Sequence, residues 1–172
     1  DKKINDLIDF FAKGDVMIFN QVKVIKAKLI GEISRNSAVI HFTLDQEAKG
    51  LWSALCRPAK KVRVGDIITI SKNSDDDFSC EVVEKDNEGF IKIKFNCAEN
   101  ELPAKLEKYG SIPLPPYIKR GENDEKNAHN DQKNYQTIYA KDGVAVAAPT
   151  AGLHFNDNIF AKIKAKEIEC VF

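Results

Sequence analysis

The chain has 172 residues, with 26 Lys plus Arg balanced by 26 Asp plus Glu, so its formal net charge is zero. That length allows one domain with a sizeable core or two small ones, and the ordinary apolar content excludes global disorder. A neutral balance argues against a protein that wraps nucleic acid along its whole surface, but it leaves room for one basic face.

Ile4, Leu7, Ile8 and Phe11 recur at helical spacing and predict a short helix ending near Lys13-Gly14, with Lys2, Lys3, Asp6 and Asp9 facing water. Val16 to Phe19 is a continuous apolar run, expected as a strand inside a sheet. Val22 to Ile30 and Ala38 to Leu44 favour strand, as do Leu51 to Cys56 and Ile67 to Ile70. Phe78 to Val83 and Phe90 to Phe95 have the spacing of hairpin partners joined through Asp86 to Gly89. So many short strands predict a small barrel, which removes vulnerable edges. Leu102 to Tyr109 predicts a helix with Pro103 tolerated near its start. Pro113, Pro115 and Pro116 enforce an extended connection, and Gly121 to Asn134 reads as a polar exposed loop. Val144 to Ala148 reads as a strand, Pro149 to Gly152 as a turn, and Asn156 or Asp157 as the cap of a helix containing Ile159, Phe160 and Ile163. Ile168 to Phe172 follows as a strand, completing the ingredients of a parallel α/β unit. The expected fold is therefore an α/β domain, present as discontinuous pieces, with an inserted small antiparallel β-barrel. The pieces are 1–19, the barrel 20–118, and the return 119–172 with the polar loop 121–134.

Cys56, Cys80, Cys97 and Cys170 lie far apart among apolar neighbours, with no CxxC pair and no zinc spacing. They read as packed thiols of a reducing compartment, with an extracellular two-disulfide domain as the rival reading. The absence of a bilayer-length apolar run and of a signal peptide makes cytoplasm the expected location, with no membrane partner. Asp1 is not an initiator methionine and Val171-Phe172 closes on an apolar run, so the sequence reads as cut from within a longer protein.

The stretch AVAAPTAGLHF, Ala145 to Phe155, concentrates the chemistry. Small residues let backbone and ligand approach closely, and free amides at the following helix start suit a carboxylate or developing negative charge. His154 is the leading catalytic candidate, since a neutral imidazole accepts a proton near physiological pH. It serves equally well as a loop-pinning hydrogen-bond residue. Thr150 either orients a hydroxyl or carboxylate or caps the turn, and Phe155 either stacks on a base or packs in the core. The stretch is neither a GxGxxG fingerprint nor a P-loop, so neither NAD nor ATP follows. His41 and His129 have no comparable setting, and three dispersed histidines specify no metal.

Together with IPLPPYIKR at Ile112 to Arg120 and YQTIYAKDG at Tyr135 to Gly143, this stretch resembles the S-adenosylmethionine:tRNA ribosyltransferase-isomerase family of queuosine biosynthesis. The resemblance implies a barrel set between discontinuous parts of a catalytic domain. It also implies S-adenosylmethionine as a consumed ribosyl donor and a precursor tRNA carrying 7-aminomethyl-7-deazaguanine as acceptor. The products are then adenine, methionine and epoxyqueuosine, and no metal is expected. Under it, Thr150, Ala151, Gly152, Phe155, Tyr135 and Tyr139 are candidates for holding S-adenosylmethionine, the two tyrosines sharing a possible helical face. Tyr117, Lys119 and Arg120 combine an aromatic ring with two cations and are candidates for tRNA contact. Within FNQVKVIKAKL, Lys23 aligns with a basic position more often held by Arg, while Lys26 stands where proline is more usual. WSALCRPAKKVRVGD supplies Arg57, Lys60, Lys61 and Arg63 for tRNA phosphates, or else a solvated charged face. Because the family's opening and closing motifs fall outside these 172 residues, the piece alone is expected to be inactive. The rival readings are a noncatalytic tRNA-binding module, a conventional methyltransferase, disfavoured by the missing glycine-rich cofactor loop, and a purely structural interaction domain.

Overall fold

A computed structural model describes all residues except 74, 75, 116 and 119–124. A single 3-10 stretch, Ile4–Phe10, opens the chain. The strands β1 (Val16–Ile18), β2 (Lys23–Val24), β3 (Lys28–Ile33), β4 (Val39–Ala48), β5 (Leu51–Arg57), β6 (Ile67–Asn73), β7 (Asp76–Lys85) and β8 (Phe90–Phe95) follow. Helices α1 (Leu102–Tyr109) and α2 (Glu125–Asn134) precede β9 (Val144–Ala145), α3 (Asp157–Ala165) and β10 (Glu169–Val171). The chain divides into two compact units, one of residues 25–117 and one joining 1–24 to 118–172.

The 25–117 unit is a small antiparallel barrel, as the strand pattern predicts, and it closes with six strands in the order β3-β4-β5-β8-β7-β6. Alternation, interrupted by register shifts in β4, β6 and β7, builds it: Leu29, Phe42, Leu44, Ala54, Ile68, Phe78, Ile91 and Ile93 are buried. Each fully buried side chain of this kind contributes roughly 1.5–3 kcal/mol. Closure needs a glycine, because a Cβ on Gly31 of β3 would stand 2.5 Å from Ile68 Cγ2 on β6. The Asp86 carboxylate shapes the β7–β8 hairpin by accepting the amides of Glu88, Gly89 and Phe90 at 2.8–2.9 Å.

Helix α1 is pinned to β7 through Asp76. The Asp76 carboxylate accepts hydrogen bonds from Lys105 Nζ, Lys108 Nζ and Tyr109 Oη, all on α1. These bonds, that from Lys105 foremost, hold the Asp76 carboxyl well below the usual carboxylate range. A depressed folded-state value means the contribution is present above the unfolded value of ~3.9 and is lost as pH falls through the lower folded value. Asp76→Asn is therefore expected to lower Tm at neutral pH and to flatten the loss of stability toward strong acid. Thermal melts from neutral pH downward read this directly, and a Tm deficit that stays constant down to strong acid would contradict it.

In the other unit, two short parallel pairs join the ends of the sequence, β1 with β10 and β2 with β9. Phe19, Ile8, Ile159, Ile163 and Ile168 form its core. Here several expectations are corrected. Val22 to Ile30 is not one strand: Lys23–Val24 pairs with β9 whereas Lys28–Ile33 pairs within the barrel, so the chain turns at Ile25 to Ala27 between different partners. Val16–Phe19 is not enclosed, since Ile18 is 83% exposed. The strand expected over Val144–Ala148 is only two residues long, and β9 and β10 each pair with a strand from the start of the chain rather than with each other. Glu125–Asn134 is a helix rather than part of a loop; this polar segment holds neither Gly nor Pro to interrupt it.

The four cysteines are free thiols, and burial pushes Cys80 up to about 12. Among the described residues, no helix is long and apolar enough to cross a membrane, and no group of three His, Cys, Asp or Glu side chains is placed to hold a metal.

Candidate functional site

The PTAGLHF segment folds around one short 3-10 helix. This is Thr150–His154, in which Gly152 N donates to Pro149 O at 2.7 Å and Phe155 N donates to Gly152 O at 3.1 Å. Asn156 then caps α3, its Oδ1 accepting from Ile159 N at 3.0 Å. This arrangement leaves Thr150, Ala151 and His154 exposed while Gly152 is buried.

Gly152 is buried because the second motif packs directly on it. A Cβ there would lie 2.1 Å from Tyr139 Oη and 2.9 Å from Thr137 Cγ2. Thr137 and Gly152, 15 positions apart in the sequence, therefore meet where only glycine fits. Tyr135 and Tyr139 do not share a helical face, because α2 ends at Asn134. Tyr135 is buried, and Tyr139 is half-buried with its phenol raised above its ordinary value by desolvation. The Tyr139 and Phe155 rings pack edge-on against Phe19 at 5.1 and 5.0 Å, and Phe160 and Phe172 complete the cluster. Tyr139 thus links this cluster to Gly152 of the turn.

His154 lines an open hollow of about 320 Å³ with Lys2, Lys3, Ile4, Leu7 and Phe10. Lys2 Nζ stands 5.9 Å from the Phe10 ring centroid. Two ammonium groups, one imidazole and an exposed phenyl ring suit a ligand with an anionic end and a flat or apolar part. The sequence reading places Lys2 and Lys3 only as solvent-facing charges, because nothing local links them to a histidine some 150 positions away. Nor does the sequence single out Thr137, whose Oγ1 is buried without a hydrogen-bond partner among the described residues. Gln136 is structural, its side-chain amide accepting from Val24 N at 3.0 Å and donating to Val24 O at 3.2 Å. Lys23, beside Val24, is exposed.

A second cluster lies on the barrel. Arg57 ends β5, the Arg57–Pro58 peptide is cis, and Ala59–Lys61 forms a 3-10 turn. Three side chains shape this loop. Arg35 forks onto the Asp66 carboxylate at 2.8 and 3.1 Å and also donates to Lys61 O at 3.1 Å. Asp66 accepts the Arg63 amide at 2.8 Å, and its carboxyl is held below the ordinary value, chiefly by the Arg35 hydrogen bonds. Lys85 Nζ donates to Ala59 O and Val62 O at 2.8 and 2.7 Å. The loop therefore presents Arg57, Lys60, Lys61 and Arg63 outward, all exposed. Arg57, Lys60 and Lys61 make no salt bridge among the described residues. Tyr117 is exposed in the same unit, and Lys119 and Arg120 lie outside the described residues, as does the side chain of His129.

These motif blocks have counterparts elsewhere. Residues 1–172 match the family model described as queuosine biosynthesis protein. The chain belongs to that family. Curated relatives named S-adenosylmethionine:tRNA ribosyltransferase-isomerase include those of Chloroherpeton thalassium, 38% identical over 99% of this chain and 47% of the relative, and Brucella melitensis, 39% identical over 98% and 48%. The Methylocella silvestris relative is 41% identical over 98% of this chain and 46% of its own length. The chain thus spans about half the length of the curated relatives it matches. A crystal structure of S-adenosylmethionine tRNA ribosyltransferase from Thermotoga maritima overlaps 97% of this chain and 42% of that one, at 21% identity and a TM-score of 0.40.

Proposed function

We propose that the full-length protein carrying this chain transfers and isomerises the ribosyl group of S-adenosylmethionine onto 7-aminomethyl-7-deazaguanine in tRNA. The products are epoxyqueuosine in the tRNA, free adenine and free methionine, and the reaction runs in the cytoplasm. The observation that carries this reading is the PTAGLH turn, seated on the YQT segment and presenting His154 beside two lysines and an exposed phenyl ring, in a member of the queuosine biosynthesis family. The names of the curated relatives support the substrates.

In this reading the 1–24 and 118–172 unit is part of an α/β catalytic domain, supported by its two parallel strand pairs and by α3 between β9 and β10. The barrel is an insertion in that domain. His154 accepts a proton from the ribose carbon beside the sulfonium, whose positive charge acidifies it. The exposed Thr150 and Ala151 and the close-packed Gly152 form the surface against which S-adenosylmethionine rests, with Tyr135, Tyr139 and Phe155 fixing its shape. Lys23, Tyr117, Lys119 and Arg120 contact tRNA, and Arg57, Lys60, Lys61 and Arg63 meet its phosphates. The piece spanning these 172 residues is inactive by itself.

Neutralising Lys60, Lys61 and Arg63 in the full-length protein is expected to weaken tRNA binding while sparing S-adenosylmethionine binding. The slope of log affinity against log salt falls by about 0.7–0.9 for each phosphate that is no longer neutralised. A salt titration with unchanged affinity and slope would return these residues to a solvated face.

A further inference from the structure

The basic loop borders an outward barrel face that combines cations with exposed apolar side chains, and strand register places its members in rows. Lys28 on β3 stands opposite Thr43 on β4, Thr43 opposite Leu55 on β5, and Leu55 opposite Phe90 on β8. In the next row Ile30 stands opposite His41, and His41 opposite Arg57. The core beneath is filled by the alternate residues Leu29, Phe42, Ala54, Cys56 and Ile91, so the outward residues are not needed to complete it. Yet Phe90 is 40% and Leu55 36% exposed, side by side.

This apolar pair lies directly against the basic loop. A Cβ on Gly89, the residue before Phe90, would be 3.3 Å from Ala59 Cβ and 3.9 Å from Leu55 Cδ1. Backbone bonds fix the neighbourhood, with Cys56 N donating to Gly89 O at 3.0 Å and Phe90 N donating to Asp86 Oδ1 at 2.9 Å. The paired residues of the two rows on β3, β4, β5 and β8 include no acidic side chain, and the Asp86 carboxylate beside Phe90 is turned into the hairpin, where it accepts the amides of Glu88, Gly89 and Phe90. A twofold contact with a second copy would set these cations against one another. An aromatic ring on a rigid hairpin, beside a loop that carries Arg57, Lys60, Lys61 and Arg63, instead matches unpaired nucleotides, whose bases stack while their phosphates pair with lysine and arginine.

We propose that this face is a stacking platform for unpaired bases of the RNA substrate, with Phe90 as the stacking residue and Leu55 as its apolar floor. The proposal rests on the reading of Arg57, Lys60, Lys61 and Arg63 as phosphate contacts and adds the residue that distinguishes single-stranded from duplex RNA.

The test is fluorescence anisotropy of a labelled stem–loop RNA and a matched blunt duplex across a salt series. The proteins are the unsubstituted full-length protein, Phe90→Ala, Phe90→Leu and the double variant Lys60→Ala, Lys61→Ala. Phe90→Leu keeps apolar bulk without an aromatic face, and Trp52 emission reports whether each barrel is folded. Both Phe90 variants are expected to bind the stem–loop about tenfold more weakly, with an unchanged salt slope and unchanged duplex affinity. The lysine variant is expected to lose slope on both RNAs. Wild-type stem–loop affinity in folded Phe90→Leu, or an equal loss on the duplex, would overturn the platform while leaving the basic loop intact. A Phe90-dependent change in oligomeric state with unchanged RNA affinity would also overturn it, by making the face a self-contact. If the unsubstituted protein binds neither RNA, the phosphate reading itself fails.

Discussion

His154→Ala in the full-length protein is expected to slow single-turnover product formation by about 10²–10⁴-fold, the range supplied by a positioned general acid or base. Binding of tRNA and S-adenosylmethionine should change far less, because His154 is one exposed wall of an open hollow that Lys2, Lys3 and Phe10 also line. His154→Gln keeps local hydrogen bonding without a titratable base, and it should be nearly as slow. Both variants should fold, since His154 is exposed while Gly152 and the Phe19 cluster support the turn. Single-turnover rates over pH at saturating substrates separate chemistry from association. Wild-type rates with unchanged pH dependence would leave His154 as a loop-supporting residue.

Phe19→Ala is expected to give the largest loss of stability, about 3–5 kcal/mol for removing a buried aromatic ring. Phe19 contacts Tyr139, Phe155, Phe160 and Phe172 with ring centroids 5.0–5.3 Å away, so its removal leaves four rings without their common partner. The effect should be confined to one unit. The sole tryptophan, Trp52, lies on β5 of the barrel and reports the other. In urea, Trp52 fluorescence should keep its midpoint, while NMR signals from β1, α3 and β10 disappear at a lower concentration. A common shift of both midpoints would show the two units unfolding as one.

The barrel was legible because several short strands follow one another with little helix between them, and Asp86-Asn87-Glu88-Gly89 is a recognisable turn between hairpin partners. Helix α1 is marked by Pro103 near its start and Gly110 after its end, and α3 by its Asn156 cap. The other unit was harder to read. Its strands are two or three residues long and pair across more than 100 positions, so apolar content alone overstated the enclosure of Val16–Phe19 and the length of the strand at Val144. Helix α2 has no apolar stripe, so no periodic signal marks it in the sequence. The motif blocks located the PTAGLHF turn, but not what surrounds it. Lys2, Lys3 and Phe10 reach His154 through tertiary packing, and Arg35 and Lys85 reach the basic loop from other parts of the barrel. Such long-range partners leave no periodic trace in a sequence.

The most direct test of the central claim is reconstitution of the full-length protein with S-adenosylmethionine and tRNA carrying 7-aminomethyl-7-deazaguanine, followed by mass analysis of the nucleosides and the small-molecule products. The account predicts epoxyqueuosine in the tRNA, with adenine and methionine released in equal amounts. Transfer of a methyl group to the RNA, or tight tRNA binding with neither adenine nor methionine released, would contradict it.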